Sequence, residues 1–205
     1  MTFPKGGSPT ASSRPELLLA SESPRRRALL ERVGIVPDAV LAAAIDETPK
    51  TGELARDLAR RLAAAKAESV SAAARREDML VLAADTVVAA GRRILPKAKT
   101  ADEVRRCLAL LSGRRHQVIT AVAVLPPGGK TRLRLVTTRV AFRRLTDAEI
   151  TAYAASHEGE GKAGGYAIQG RAGAFVAWLN GSYSGVVGLP LAETVLLLRG
   201  LGYPC

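Results

Sequence analysis

Three arginines follow one another in Ser21-Glu22-Ser23-Pro24-Arg25-Arg26-Arg27, at what reads as the first turn of a helix. A helix start already carries the positive end of the macrodipole and unpaired N–H groups, so each added cation there costs roughly 0.3–1 kcal/mol. The placement makes sense if an anion binds. Ser21, Ser23, Arg25 and Arg26 would then line a phosphate cradle between a strand and a helix. A solvated first turn accounts for the same residues equally well. Asp85 breaks a second rule, because it stands inside the apolar run 80–88. A carboxylate in a buried strand must pair with a cation or hold a metal, and beside a cleft it can activate a water. Its plain alternative is a structural ion pair with an arginine. Glu47 is a second candidate acid, against the reading of a surface carboxylate ahead of a helix. Lys66 lies on or beside an apolar helical stripe, and Lys97 sits in a turn ahead of a helix. Each could meet phosphate, and each could equally be a snorkelling or loop lysine. In Gly165-Tyr166-Ala167-Ile168-Gln169-Gly170, glycines allow close backbone approach, and the Gln169 amide can both donate and accept, as reading a base edge requires.

These residues need elements to hold them. Residues 16–20 read as a short apolar strand. Ser23 then falls at an N-cap with Pro24 at the first helical position, and Gly34 ends the helix. Residues 38–45 suit a second strand. A helix is predicted over 51–74, with Leu54, Leu58 and Leu62 four apart and Lys66 close to the same stripe. Residues 79–90 are almost continuously apolar, the pattern of a strand buried on both faces. Thr100 with Glu103 and Thr146 with Glu149 are capping boxes. Residues 117–125 and 131–142 form a hairpin around Pro126-Pro127-Gly128-Gly129, 175–179 a strand and 189–199 a last helix. Strands alternating with helices, plus a long hairpin, predict an α/β fold with a mixed, twisted central sheet and flanking helices.

The chain has 205 residues, 47% of them hydrophobic, enough for one good core or two lobes around a cleft. No apolar stretch approaches the ~20 residues of a membrane span. Residues 1–15 are rich in Ser, Pro, Thr and Gly and lack the apolar centre of a signal peptide, so they read as a mobile tail ahead of a single catalytic domain over 16–205. Two cysteines and two histidines stand outside any metal-ligand spacing, which suits a reducing, cytoplasmic setting. The net charge of +11 attracts polyanions, nucleotide or nucleic acid. At 4% aromatic residues there is little to stack bases on, so the charge alone does not argue for nucleic-acid binding.

Read in order, Leu18-Leu19-Ala20-Ser21-Glu22-Ser23-Pro24-Arg25-Arg26, Ala84-Asp85-Thr86-Val87-Val88, Lys162-Ala163-Gly164-Gly165-Tyr166-Ala167-Ile168-Gln169-Gly170, Asn180-Gly181-Ser182-Tyr183 and Val187-Gly188-Leu189-Pro190-Leu191 resemble the Maf family of nucleotide pyrophosphatases. Each piece is weak alone; five in order are specific. The resemblance implies a Maf/ITPase-like fold and metal-assisted attack of water on the α–β phosphoanhydride of a nucleoside triphosphate. It implies a divalent cation (Mg²⁺, Mn²⁺ or Co²⁺) at Asp85 and Glu47, and Asp85, Lys66 and Lys97 as the catalytic set. It also implies phosphate binding by Arg25 and Arg26, and a role in cleansing nucleotide pools or restraining septum formation. Arg25, Thr86 and Gln169 match the subgroup that acts on dTTP and UTP rather than the one that acts on 7-methyl-GTP. Lys97-Ala98 departs from the Lys-Pro usual in the family, and the loop before Glu47 differs in length. Two rival readings are a basic nucleic-acid-binding module and a catalytically idle nucleotide sensor. Asp85 and Glu47 argue against the first, and the intact set Asp85, Lys66 and Lys97 against the second. The oligomeric state is left open, a homodimer included.

Overall fold

The computed structural model describes residues 14–74 and 78–205. Of the segment read as a tail, residues 1–13 lie outside the described residues. Arg14 is anchored: its guanidinium donates to both carboxylate oxygens of Asp38, at 2.9 and 2.7 Å, and to the Tyr203 hydroxyl at 2.9 Å.

A seven-stranded mixed sheet forms the frame. β1 (Glu16–Leu19) runs parallel between β2 (Ala39–Val40) and β3 (Met79–Ala90). β4 (Arg93–Leu95) folds back antiparallel on the far end of β3. The hairpin of β6 (Arg115–Leu125) and β7 (Arg132–Phe142) continues the sheet from β3, and β9 (Val176–Asn180) closes its other edge. A separate two-stranded ribbon pairs β5 (Lys97–Ala98) with β8 (Lys162–Ala163). The helices are α1 (Pro24–Glu31), α2 (Ala55–Ala74), α3 (Ala101–Leu111), α4 (Asp147–Ala155), α5 (Tyr183–Val187) and α6 (Leu191–Arg199). The α/β reading with a mixed sheet holds.

Strand alternation gives the sheet two cores. Leu17, Leu19, Leu80, Leu82, Ala84 and Val88 join a core with residues of α1, α3, α4 and α6. Leu18, Ala20, Met79, Val81, Ala83 and Val87 face the other way and pack with Leu58, Leu62 and Val70 of α2. β3 is buried on both faces, as its unbroken apolar run predicts.

Some expectations need correction. The helix predicted from 51 begins at Ala55, because Thr51 and Gly52 form a turn with Gly52 at φ +74°. Leu54 therefore stands ahead of the first turn and is 40% exposed, while Leu58, Leu62, Lys66 and Val70 form the buried stripe. The strand predicted over 38–45 shrinks to Ala39–Val40, since β1 stops at Leu19 and leaves no partner beyond the bond from the Leu41 amide to the Leu19 carbonyl. The Thr146–Glu149 capping box is complete. The Thr100 box is half made: its hydroxyl accepts from the Glu103 amide, but the Glu103 carboxylate accepts from the Lys99 amide instead. β4, the β5–β8 ribbon and α5 are too short to carry a period that the sequence could display.

The same topology opens a cleft. β1 covers Met79 to Leu82 of β3, and β4 covers Val88 to Ala90 on the same side. Between them the chain leaves β1 for the turn into α1, so the edge of β3 around Asp85 and Thr86 has no partner strand and the sheet has a gap there.

Candidate functional site

The cleft at this gap encloses about 720 Å³. Ser21, Ser23, Arg25, Arg26, Glu47, Lys66, Asp85, Thr86, Lys97 and Gln169 all line it, whereas Arg27, the third arginine of the run, pairs with Glu31 on the exposed side of α1. Parity along β3 divides two of them. Asp85 points with Val81, Ala83 and Val87 toward α2, and Thr86 points to the opposite face.

Asp85 is 1% exposed and Lys66 7%. The Lys66 ammonium lies 2.6 Å from Asp85 Oδ1 and 2.6 Å from Glu47 Oε1. Glu47 Oε2 in turn accepts from Lys97. The result is an alternating chain, Asp85, Lys66, Glu47, Lys97, running from the sheet to the cleft mouth. The arginine partner considered for Asp85 is in fact this lysine, and Lys66 is buried rather than snorkelling because two carboxylates compensate its charge. Burial alone would raise the Glu47 carboxyl, but hydrogen bonds and charge from Lys66 and Lys97 outweigh it and hold the group down at about 2. At the Lys97-Ala98 departure the chain is extended. The β5–β8 pairing sets Lys97 opposite Ala163, and its ammonium still reaches Glu47.

The arginines are arranged differently. Arg26 donates from Nε to the Gly188 carbonyl at 2.8 Å and from a terminal nitrogen to Ser21 Oγ at 2.9 Å. Ser21 Oγ also accepts from the Ser23 amide at 3.2 Å, so this hydroxyl fixes the turn and aims Arg26. Ser23 sits at the N-cap of α1 but makes no side-chain cap bond. Among the described residues, neither Arg25 nor Arg26 has a carboxylate within ion-pair distance. Burial lowers the pKa of both, reinforced at Arg25 by the charge of Arg26 and opposed at Arg26 by the pull of Asp85 and Glu47. Two partly desolvated guanidinium groups beside a helix start make a strong anion site.

Thr86 and Gln169 border the remaining space. Thr120 donates to the Gly185 carbonyl at 2.8 Å and lies 3.1 Å from the Thr86 hydroxyl, which ties Thr86 to α5. Gln169 is exposed, at the end of a loop whose Ala167 amide donates to the Tyr153 hydroxyl at 2.9 Å.

Sequence reasoning missed three contributors. Lys162 and Glu158 line the cleft, and burial, then the charge of Arg25, lowers the Lys162 pKa. The Gly188 carbonyl orients Arg26. Lys162 had a signal, two residues ahead of Gly164-Gly165; a backbone carbonyl had none. His116 packs edge-on against Phe142 and Tyr166, outside any metal set. Among the described residues no group of three or more His, Cys, Asp or Glu side chains could hold a metal. Asp85 and Glu47 nevertheless converge on one cation, the Lys66 ammonium. Two carboxylates completed by phosphate oxygens are a donor set that suits a divalent ion. Cys107 and Cys205 are free thiols. Among the described residues, no helix is long and apolar enough to cross a membrane.

The chain is 57% identical over 195 residues to a dTTP/UTP pyrophosphatase of Rhodopseudomonas palustris (strain HaA2), covering 93% of this chain and 94% of that one. It is 59% identical over 198 residues to a dTTP/UTP pyrophosphatase of Gluconobacter oxydans (strain 621H), covering 95% and 90%. A solved structure, that of the Staphylococcus aureus Ham1 protein, superposes with a TM-score of 0.44 at 17% identity, over 62% of this chain and 71% of that one, too slight a likeness to bear on function. The family described as Maf-like protein matches residues 16–201, and with near-full-length relatives at such identity the chain belongs to the Maf family.

Proposed function

We propose that this chain is a cytoplasmic, divalent-metal-dependent pyrophosphatase that hydrolyses dTTP and UTP to the nucleoside monophosphate and pyrophosphate. One observation carries the reading: a single cleft joins the alternating chain Asp85–Lys66–Glu47–Lys97, buried at its Asp85 end, to two arginines that have no carboxylate partner among the described residues. The carboxylates suit the attacking water, and the unpaired cations suit the phosphates. The names of the relatives support the choice of pyrimidine triphosphates, and two free thiols suit a reducing compartment.

In this reading Arg25, Arg26 and the start of α1 hold triphosphate oxygens. Asp85, through the oxygen not engaged by Lys66, orients a water and takes its proton as the water oxygen bonds to the α-phosphorus. The bond from the α-phosphorus to the bridging oxygen breaks, and that oxygen leaves with pyrophosphate. Lys66 and Lys97 balance the charge that develops. A bound divalent cation, held by Asp85 and Glu47, would polarise the phosphoryl oxygens. Thr86 and Gln169 border the space for the base, with Arg25 beside them.

A panel of nucleoside triphosphates, assayed for pyrophosphate release with Mg²⁺, Mn²⁺ or Co²⁺, tests the proposal. dTTP and UTP should be hydrolysed well ahead of ATP and GTP. A purine triphosphate or 7-methyl-GTP as best substrate, or UDP as first product from UTP, would overturn it.

A further inference from the structure

Glu47 sits in the middle of residues 41–54, a stretch without helix or strand. Its carboxylate touches Lys66 and Lys97, but an ammonium on a four-carbon stem is a compact donor that fixes no direction of approach. Ala43 and Ile45 pack on the core beside α2 and hold the loop ahead of Glu47, so what remains to be fixed is the backbone that follows it. Arg61 supplies that hold. Its Nε donates to Glu53 Oε1 at 2.7 Å and one terminal nitrogen to Glu53 Oε2 at 2.8 Å. The same terminal nitrogen donates to the Thr48 carbonyl at 3.1 Å. The fork therefore grips the loop at two places, one of them the residue after Glu47. Within the loop, the Lys50 amide donates to Glu53 Oε2 at 2.9 Å and the Thr48 amide to Asp46 Oδ1 at 2.9 Å.

The origin of the grip matters as much as its strength. Arg61 and Lys66 belong to the same helix, five residues and about 7.5 Å of rise apart. α2 thus presents to one loop both the ammonium that Glu47 contacts and the guanidinium that fixes the adjoining backbone. The Arg61 and Glu53 side chains are 27% and 10% exposed, better shielded than the other surface pairs among the described residues. The hydrogen bond from Arg61, then that from the Lys50 amide, hold the Glu53 carboxyl down at about 2, so the grip persists through the neutral range.

We propose that Arg61, acting through Glu53 and the Thr48 carbonyl, is a positioning residue that holds Glu47 in the cleft against Lys66 and Lys97. Its consequence for turnover rests on the reading of Glu47 as a working carboxylate of the pyrophosphatase.

Two measurements on the full chain separate these layers. Hydrogen–deuterium exchange without nucleotide or metal reads the loop directly. Arg61→Ala should speed exchange of the amides over 46–53 by about tenfold while β3 and the rest of α2 stay protected. Arg61→Lys, which keeps the charge and loses the fork, should do nearly the same. Turnover of UTP with Mg²⁺ reads the consequence. Arg61→Ala should lower kcat about tenfold in wild-type background and less than twofold on top of Glu47→Gln, because both changes act through one carboxylate. If Arg61→Ala does not fold, Glu53→Gln releases the same clamp with a smaller change. Unchanged exchange over 46–53, or kcat losses that multiply in the double variant, overturn the proposal. Full activity of Glu47→Gln alongside faster loop exchange in Arg61→Ala would uphold the clamp and sink the catalytic reading of Glu47.

Discussion

A lysine ammonium held between two carboxylates makes Asp85 the most informative single residue to change. Lys66 lies 2.6 Å from both Asp85 and Glu47, so removing the charge of Asp85 leaves Lys66 one carboxylate partner instead of none. That distinguishes it from the usual broken buried pair, where an uncompensated ion costs several kcal/mol. Asp85→Asn keeps the shape of the side chain and should yield a folded protein with a modestly lowered melting temperature. If the carboxylate handles the attacking water, kcat for UTP should fall about 10²-fold or more. Near-normal kcat per folded molecule would reduce Asp85 to an ion-pair partner of Lys66. Asp85 itself was legible in the sequence because a carboxylate in an apolar run violates burial. Lys66 as its partner was not, since nothing along the chain marks which of many cations a buried acid will meet.

At the scale of elements, the loop that bears Gln169 is fixed by how closely its glycines approach β3 and α3. Gly164 has φ +69°, and a Cβ added there would lie 2.8 Å from a methyl of Val88. Gly161 has the same φ of +69° with nothing within 4 Å of the added atom. Both substitutions to alanine carry left-handed backbone strain, and only the first adds a clash, so the pair isolates packing. Gly164→Ala should cost about 1–3 kcal/mol more than Gly161→Ala, a difference of several degrees in Tm at roughly 2–4 °C per kcal/mol. Because Gly164 adjoins the β5–β8 ribbon and precedes Gln169, its KM for UTP should rise more than its kcat falls. Equal melting temperatures for the two variants would mean that the loop does not depend on its contact with Val88. The glycines announced a close approach in the sequence. What they approach depends on the ribbon of two-residue strands that carries Lys97, and such strands are too short to leave a pattern.

For the molecule as a whole, acid is the informative stress. The chain carries a formal charge of +11 at pH 7, so every proton taken up adds to self-repulsion. Burial lowers the His116 pKa from an ordinary 6.5 to about 4. The unfolded chain thus binds this proton first, and the stability gained by a neutral ring is whole above pH 6.5 and lost as pH falls toward 4. Glu47 is held at about 2 against an ordinary 4.5, so its contribution is whole above 4.5 and lost as pH falls toward 2. Melting temperature should therefore decline in two stages, and His116→Phe, in a pocket already walled by Phe142 and Tyr166, should flatten only the upper one. A variant whose melting curve keeps its full slope between pH 6.5 and 4 would assign that stage to other groups.

Elements whose cause is local can be read along the chain. An unbroken apolar run made β3, Thr146 and Glu149 capped α4, and turn chemistry between two apolar runs made the β6–β7 hairpin. The sequence also exposed the residues that violate local rules, Asp85 in its strand and the arginines at their helix start. Tertiary structure alone decided which of them meet. Lys66 reaches Asp85 across 19 residues, and Lys97 reaches Glu47 across 50. Glu47 itself sits on a loop without helix or strand, held by the packing of Ala43 and Ile45 and by the bond from Arg61 to the Thr48 carbonyl rather than by any period of its own. Local propensity acts over a few residues, whereas the pairing of buried charges is selected by the free energy of the whole packed cleft, which no single segment carries.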